Sequence, residues 1–248
     1  MKAIGFLAIF FLATSSIYAQ ALRGGFGHGF SGPWIQVDIQ LHDDLRTTSL
    51  LGQDLQQAYF GYSGGGSGYL LLANRMLIGG TGFSSTASDV TNRGQLTTKF
   101  GGGIGQIGYL LLRQDRWMAF PYVGIGHNDI KMKIHNSTTS DNFDLGNVNV
   151  KPGETIELRT KTVDFDLGFS TQFFVFQHQR EYRKSGFMLG LQAGAYAFIG
   201  TQDWHVKDEV NQFAGSLSKP SMFMPYFRIT IGGGGFCSVI KDETSARQ

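Results

Sequence analysis

The sequence predicts an all-β fold, an up-and-down antiparallel transmembrane β-barrel of about eight strands. Three observations carry that expectation. Apolar and polar residues alternate with a period of two over long stretches. After residue 19 no stretch approaches an apolar membrane helix, and a closed barrel is the other backbone that satisfies its own hydrogen bonds in hydrocarbon. The composition is rich in glycine and aromatics but poor in charge, with 35 Gly, 5 Pro, 13% aromatic and 16% charged residues. Soluble domains carry about 25% charged residues.

The alternation is clearest over 163–176. Val163, Phe165, Leu167, Phe169, Phe173 and Val175 share one face, against Thr162, Asp164, Asp166, Gly168, Ser170 and Gln172. Further on, Phe187, Leu189, Leu191, Ala193, Ala195, Ala197 and Ile199 oppose Gly190, Gln192, Gly194 and Tyr196. Ile35, Val37, Ile39 and Leu41 alternate with Trp34, Gln36, Asp38 and Gln40, and Phe227, Ile229 and Ile231 with Tyr226, Arg228 and Thr230. Strands are expected near 34–42, 58–72, 76–88, 95–112, 117–133, 158–177, 186–201 and 222–237. Short turns at 73–75, 113–116 and 177–185 alternate with mostly longer polar connections at 43–57, 89–94, 134–157 and 202–221. That asymmetry is expected of an outer-membrane barrel with long loops outside.

The chain divides accordingly. Residues 1–19 read as a cleavable signal peptide, with Lys2, an uncharged apolar run from Ile4 to Ala13, and Ile17-Tyr18-Ala19 before the cleavage point. Residues 20–32 form a glycine-rich N-terminal segment, 33–237 the barrel and 238–248 a polar tail. Gly68-Tyr69-Leu70-Leu71-Leu72 and Gly108-Tyr109-Leu110-Leu111-Leu112 repeat one hairpin unit. Tyr69, Tyr109 and Trp117 lie near the short turns and suit an interfacial aromatic girdle.

With these features the chain resembles the small outer-membrane barrels of Gram-negative bacteria, broadly of the OmpA and OmpX type. The Tyr18-Ala19-Gln20 start and the glycine-bearing strands look like the Bacteroidetes versions. The resemblance covers roughly 33–237 and rests on pattern. It implies an outer-membrane location, outer-membrane lipids and an extracellular or envelope protein as partners, and a monomer. No family motif is matched, so no family activity transfers to a residue.

The chemistry-bearing candidates are few. Asp38, Asp164, Asp166 and Arg228 fall on polar faces, and an interior ion-pair network is expected of them because buried charges require partners. A proton-handling gate is the functional alternative. Arg228 is expected to be held by one or more of Asp38, Asp164 and Asp166, and Asp38 is favoured as one partner since the first and last strands must meet. His127-Asn128-Asp129 is the one lead to a rim-located lipid-modifying enzyme, with Ser84, Ser85 and Ser88 as distant partners. No residue is assigned as catalytic. The six histidines lack metal-ligand spacing, and the single Cys237 excludes a disulfide or zinc site. No cofactor or metal is expected, and a net charge of +2 gives no reason to expect nucleic acid. The glycine runs do not open helices and lack a Gly-Lys-Ser/Thr ending, so they are not phosphate loops. A structural or surface-interaction role is the favoured function. A narrow transport path and a soluble lipocalin-like ligand barrel stand beside the rim enzyme as rivals.

Overall fold

A computed structural model describes residues 22–38, 58–72, 75–114, 116–144, 149–180, 183–200, 202–206, 219 and 221–237. The signal-peptide and C-terminal-tail assignments lie outside the described residues. Eight long strands form the wall: β1 Leu22–Asp38, β2 Ala58–Leu72, β3 Met76–Val90, β4 Gly94–Tyr109, β5 Trp117–Asn136, β6 Thr155–Arg180, β7 Arg183–Gly200 and β8 Ser221–Cys237. Each pairs antiparallel with its neighbour in sequence, and β8 closes on β1.

The register defines the barrel. Partner-to-partner steps run from His28 through Ser67, Thr81, Ile104, Gly126, Asp164, Phe198 and Met222, and return to β1 at Asp38. The circuit advances ten residues, from 28 to 38. Such a stagger tilts the strands by about 35–45°, and eight strands at that tilt leave room inside for side chains only.

Alternation sorts the residues as the sequence predicts. Phe165, Leu167 and Phe169 face outward and are 44%, 65% and 46% exposed. Asp164, Asp166 and Ser170, between or beside them, are buried inside. The interior is layered. At the short-turn end Phe26, Leu71, Leu77, Met118, Phe120 and Phe174 form an apolar plug. At the loop end Trp34, Phe100, Ile130, Leu158, Phe198 and Trp204 form a second. Polar side chains occupy the level between them. Trp204 comes from the connection after β7, where His205–Val206 adds a short strand to β6.

Close packing explains specific glycines. A Cβ at Gly61 would overlap the Trp34 ring, and one at Gly168 would overlap the Tyr122 phenol. The outer surface is uneven as well. Strands β5–β8 present bulky apolar side chains, whereas glycines pair with one another across β1–β4, as in Gly27–Gly68, Gly66–Gly82 and Gly82–Gly103.

Four details differ from the sequence-based expectation. The first strand spans Leu22–Asp38, not 34–42, so most of the glycine-rich segment assigned to 20–32 is barrel wall. Glycine contributes no alternation signal, which hid it. The connection expected to be long at 89–94 is a tight turn, closed by Thr91 N donating to Gly94 O at 2.8 Å. The two Gly-Tyr-Leu-Leu-Leu units are offset by one position relative to the pleat, so Tyr69 and Leu71 point inward while Tyr109 and Leu111 point outward. Tyr69 is therefore not a girdle residue, while Trp117 and Tyr109 do face outward. Within the 134–157 connection, Lys151-Pro152-Gly153-Glu154 is a turn as expected. Gly153 has φ of 78°, and Glu154 N donates to Lys151 O at 3.0 Å.

Gly168→Val should cost about 1–3 kcal/mol through overpacking against Tyr122. Tyr122→Ala in that background should recover part of it. The check is the temperature at which the folded, fast-migrating gel form is lost, and an unchanged temperature for Gly168→Val would contradict the packing.

Candidate functional site

The polar layer between the two plugs is the part of the interior richest in chemistry. β6 brings Asp164 and Asp166 into it, and β8 brings Tyr226, Arg228 and Thr230, because both strands alternate strictly there. β2, β3 and β4 add Ser63, Ser67, Tyr69, Thr81 and Gln106.

Asp166 is the hub. Its Oδ2 accepts from Gln106 Nε2 at 2.5 Å and its Oδ1 from the Tyr226 hydroxyl at 2.8 Å. With that proton committed, the Tyr226 oxygen accepts from the Tyr122 hydroxyl at 2.6 Å. Gln106 Oε1 accepts from both Tyr69 and Thr81, each at 2.6 Å. Thr81 in turn accepts from Ser67 at 2.6 Å. Every donor is oriented along the chain toward one carboxylate. The arrangement links β2, β3, β4, β5, β6 and β8 across the lumen, and hydrogen bonds to a charged acceptor are about twice as strong as neutral ones.

Arg228 is 1% exposed. Nη1 donates to the Tyr196 hydroxyl at 2.9 Å and Nε to Ser63 Oγ at 3.3 Å. The guanidinium lies over the rings of Tyr226 and Phe30 at 4.1 and 4.2 Å and over Tyr196 at 5.1 Å. Among the described residues no carboxylate reaches ion-pair distance of it. Tyr226 is the intermediary, since its ring faces Arg228 and its hydroxyl holds Asp166.

The expected charge network is thus partly assembled. Arg228 and Asp166 share one cluster through Tyr226. Asp164 is inside, where its Oδ1 accepts from Thr162 at 2.8 Å. The register sets the backbones of Asp38 and Arg228 far apart. Asp38 pairs through its backbone with Met222, six positions from Arg228 on β8, or about 20 Å at 3.3 Å per residue. Closure makes the first and last strands neighbours, but the stagger decides which residues meet. The Asp38 side chain lies outside the described residues.

The rim lead comes apart by alternation. His127 and Asp129 point outward, while Asn128 is buried inside. His127 stands opposite Gly103 and Val163, neither of which offers a nucleophile. Ser84 is two strands from Asp129, with Gly101 between them, a separation of about 9.5 Å. Ser85 is buried and donates to Tyr62 O at 3.1 Å. Ser88 contacts Thr97 and Gln95. Tyr196 and Tyr226 carried an inward parity in the sequence, whereas Tyr69 was read as a girdle residue and Gln106, in a stretch of looser alternation, gave no signal.

No family model matches the chain, and no curated protein matches it. Among solved structures, the outer membrane protease OmpT from Escherichia coli aligns at 9% identity and a TM-score of 0.36, over 88% of this chain and 97% of that one. The outer membrane protein OprG from Pseudomonas aeruginosa aligns at 11% identity and a TM-score of 0.32, over 88% and 98%. The barrel assignment rests on the closed strand ring.

Arg228→Met and Asp166→Asn should each lower stability by about 1–3 kcal/mol, by stranding buried polar partners. The double variant should lose less than the sum, by at least roughly 0.5 kcal/mol. Heat unfolding of the two single variants and the double in detergent measures this, and strict additivity would reject coupling through Tyr226.

Proposed function

We propose that this chain is an outer-membrane barrel that sits in lipid as a sealed wall element, with a structural or surface-interaction role at its loop end. The observation that carries this reading is the reversal of a soluble protein's order on the outside of the ring. Val123, Ile125, Phe165, Leu167, Phe169, Phe227, Ile229 and Ile231 all stand exposed on the outer face. Leu189 and Leu191 on β7 join β6 to β8 and make this a contiguous apolar surface, which a soluble monomer does not present on this scale. Trp117 and Tyr109 lie outward near the short-turn end, as an interfacial girdle requires.

The rivals lose support from the same geometry. A transport path needs a continuous polar lumen, whereas here apolar layers stand at both ends of the polar level. A lipocalin-like ligand barrel needs its aromatics around a cavity, whereas Phe165 and Phe169 point away from the interior. A rim enzyme built on His127 needs a nucleophile that its cross-strand neighbours do not supply. Within the outer-membrane reading we place the chain near the OmpA and OmpX type of barrel, exported by its N-terminal segment and monomeric. Outer-membrane lipids and a protein met by the outer loops are its partners.

The test is refolding into lipid vesicles. Phe169→Arg should lower insertion by about 2–4 kcal/mol, the cost of a charge facing mid-bilayer. Phe169→Leu should insert nearly as the parent does. Equal yields for the two variants, or recovery of the parent as a soluble monomer without detergent, would overturn the proposal.

A further inference from the structure

The register lines up cations that are scattered in the sequence. On the outer face Lys99 pairs with Lys131, Lys131 with Arg159, and Arg159 with His205. Four basic side chains therefore stand directly opposite one another on β4, β5, β6 and the short strand His205–Val206. Neighbouring members are about 5 Å apart at Cβ. Lys99, Lys131 and Arg159 are exposed and His205 is partly so. Lys161 and Lys133 lie one outward position to either side of the row.

Like charges directly opposite across a ladder destabilise a sheet. The local acids offset only part of this. Glu157 accepts from Arg159 Nε at 2.8 Å, pairs with its Nη2 at 2.6 Å, and lies 3.4 Å from Lys133. Asp129 stands opposite Lys161. Among the described residues, two acids thus face five Lys and Arg side chains. A pocket of about 310 Å³ opens here, lined by Asp129, Lys131, Arg159, Lys161, Gln202 and His205 among others.

The position of the row indicates what fills it. Along β6 the outward side chains read Phe169, Leu167, Phe165, Val163, Lys161 and Arg159. The cations begin where the apolar surface ends, at the level of lipid head groups if the barrel sits in a bilayer. We propose that this row binds the phosphate of lipid head groups in the outer leaflet, an inference that rests on the membrane reading above. A phosphate offers several acceptor oxygens to the Arg159 N–H donors that Glu157 leaves over and to the point charges of Lys131 and Lys99. It also offsets the repulsion between the like charges of Lys99, Lys131 and Arg159.

The experiment uses the full barrel in vesicles of phosphatidylcholine mixed with phosphatidic acid, with bound lipid identified by native mass spectrometry. The parent should retain phosphatidic acid over phosphatidylcholine by about tenfold beyond the bulk ratio. Lys131→Gln with Arg159→Gln should return retention to the bulk ratio, while Lys151→Gln, in the turn beyond the row, should leave it unchanged. Folding of each variant is verified by heat-dependent gel mobility. Unaltered enrichment in the double variant would overturn the site. Phosphate adducts in place of lipid, when inorganic phosphate is added, would overturn the lipid assignment. Failure of the parent to insert into either vesicle would overturn the membrane reading and this inference together, and is distinguishable because no lipid of any kind is retained.

Discussion

Closing eight strands into a ring with a ten-residue stagger fixes what every other position must do. The ring satisfies the backbone of each strand through its two neighbours and encloses a space that only side chains fill. Large residues then need glycines opposite them, as Trp34 needs Gly61 and Tyr122 needs Gly168. Many polar residues that alternation turns inward find partners there, as around Asp166, whereas the His28 ring nitrogens and the Asn128 amide make no hydrogen bond among the described residues. The outer face is left to whatever solvent surrounds the ring, and its side chains are predominantly apolar on β5–β8.

The interior network follows from that enclosure. Arg228 carries five N–H donors into the interior, so it requires acceptors and negative potential nearby. It obtains them from hydroxyls and from aromatic faces, which attract cations through their quadrupole. Asp166, with donors on both oxygens, supplies the compensating charge across the width of one tyrosine. Direct contact between the charges is not needed. Replacing such groups by apolar ones of matched shape is often tolerated, whereas removing one partner is not. The network is therefore best understood as a brace that ties six strands together, set between two apolar layers.

Much of the fold was legible because burial in a barrel has a strict period. The alternation placed the inward and outward residues of β6 from Val163 to Phe173, including both aspartates, and breaks at the bulge that turns Phe176 outward. Arg228 was located the same way. Segments dominated by glycine were not legible, since residues 22–32 carry too few side chains to alternate. Repeated motifs misled for a related reason: two copies of Gly-Tyr-Leu-Leu-Leu one position out of phase with the pleat face opposite ways. Partnerships across strands were not readable, because register depends on the stagger of the whole ring. This is why Asp38 was favoured as one partner of Arg228, why His127, Asn128 and Asp129 looked like one site, and why the Lys99–Lys131–Arg159 row was invisible. Trp204 sits in a connection with no periodic signal, and its burial comes from packing over the loop end.

In the membrane reading the outward apolar surface faces lipid while the inward aromatics do not. The three tryptophans divide along that line. Trp117 is outward near the short-turn end, whereas Trp34 and Trp204 are buried in the interior layer at the loop end. The direct measurement is fluorescence of single-tryptophan variants in vesicles whose lipids carry bromine on the acyl chains. The account predicts strong quenching of Trp117, greatest with bromines near the interface, and little quenching of Trp34 at any depth. Quenching of Trp34 equal to that of Trp117, or no quenching of Trp117 by lipid bromine, would contradict it.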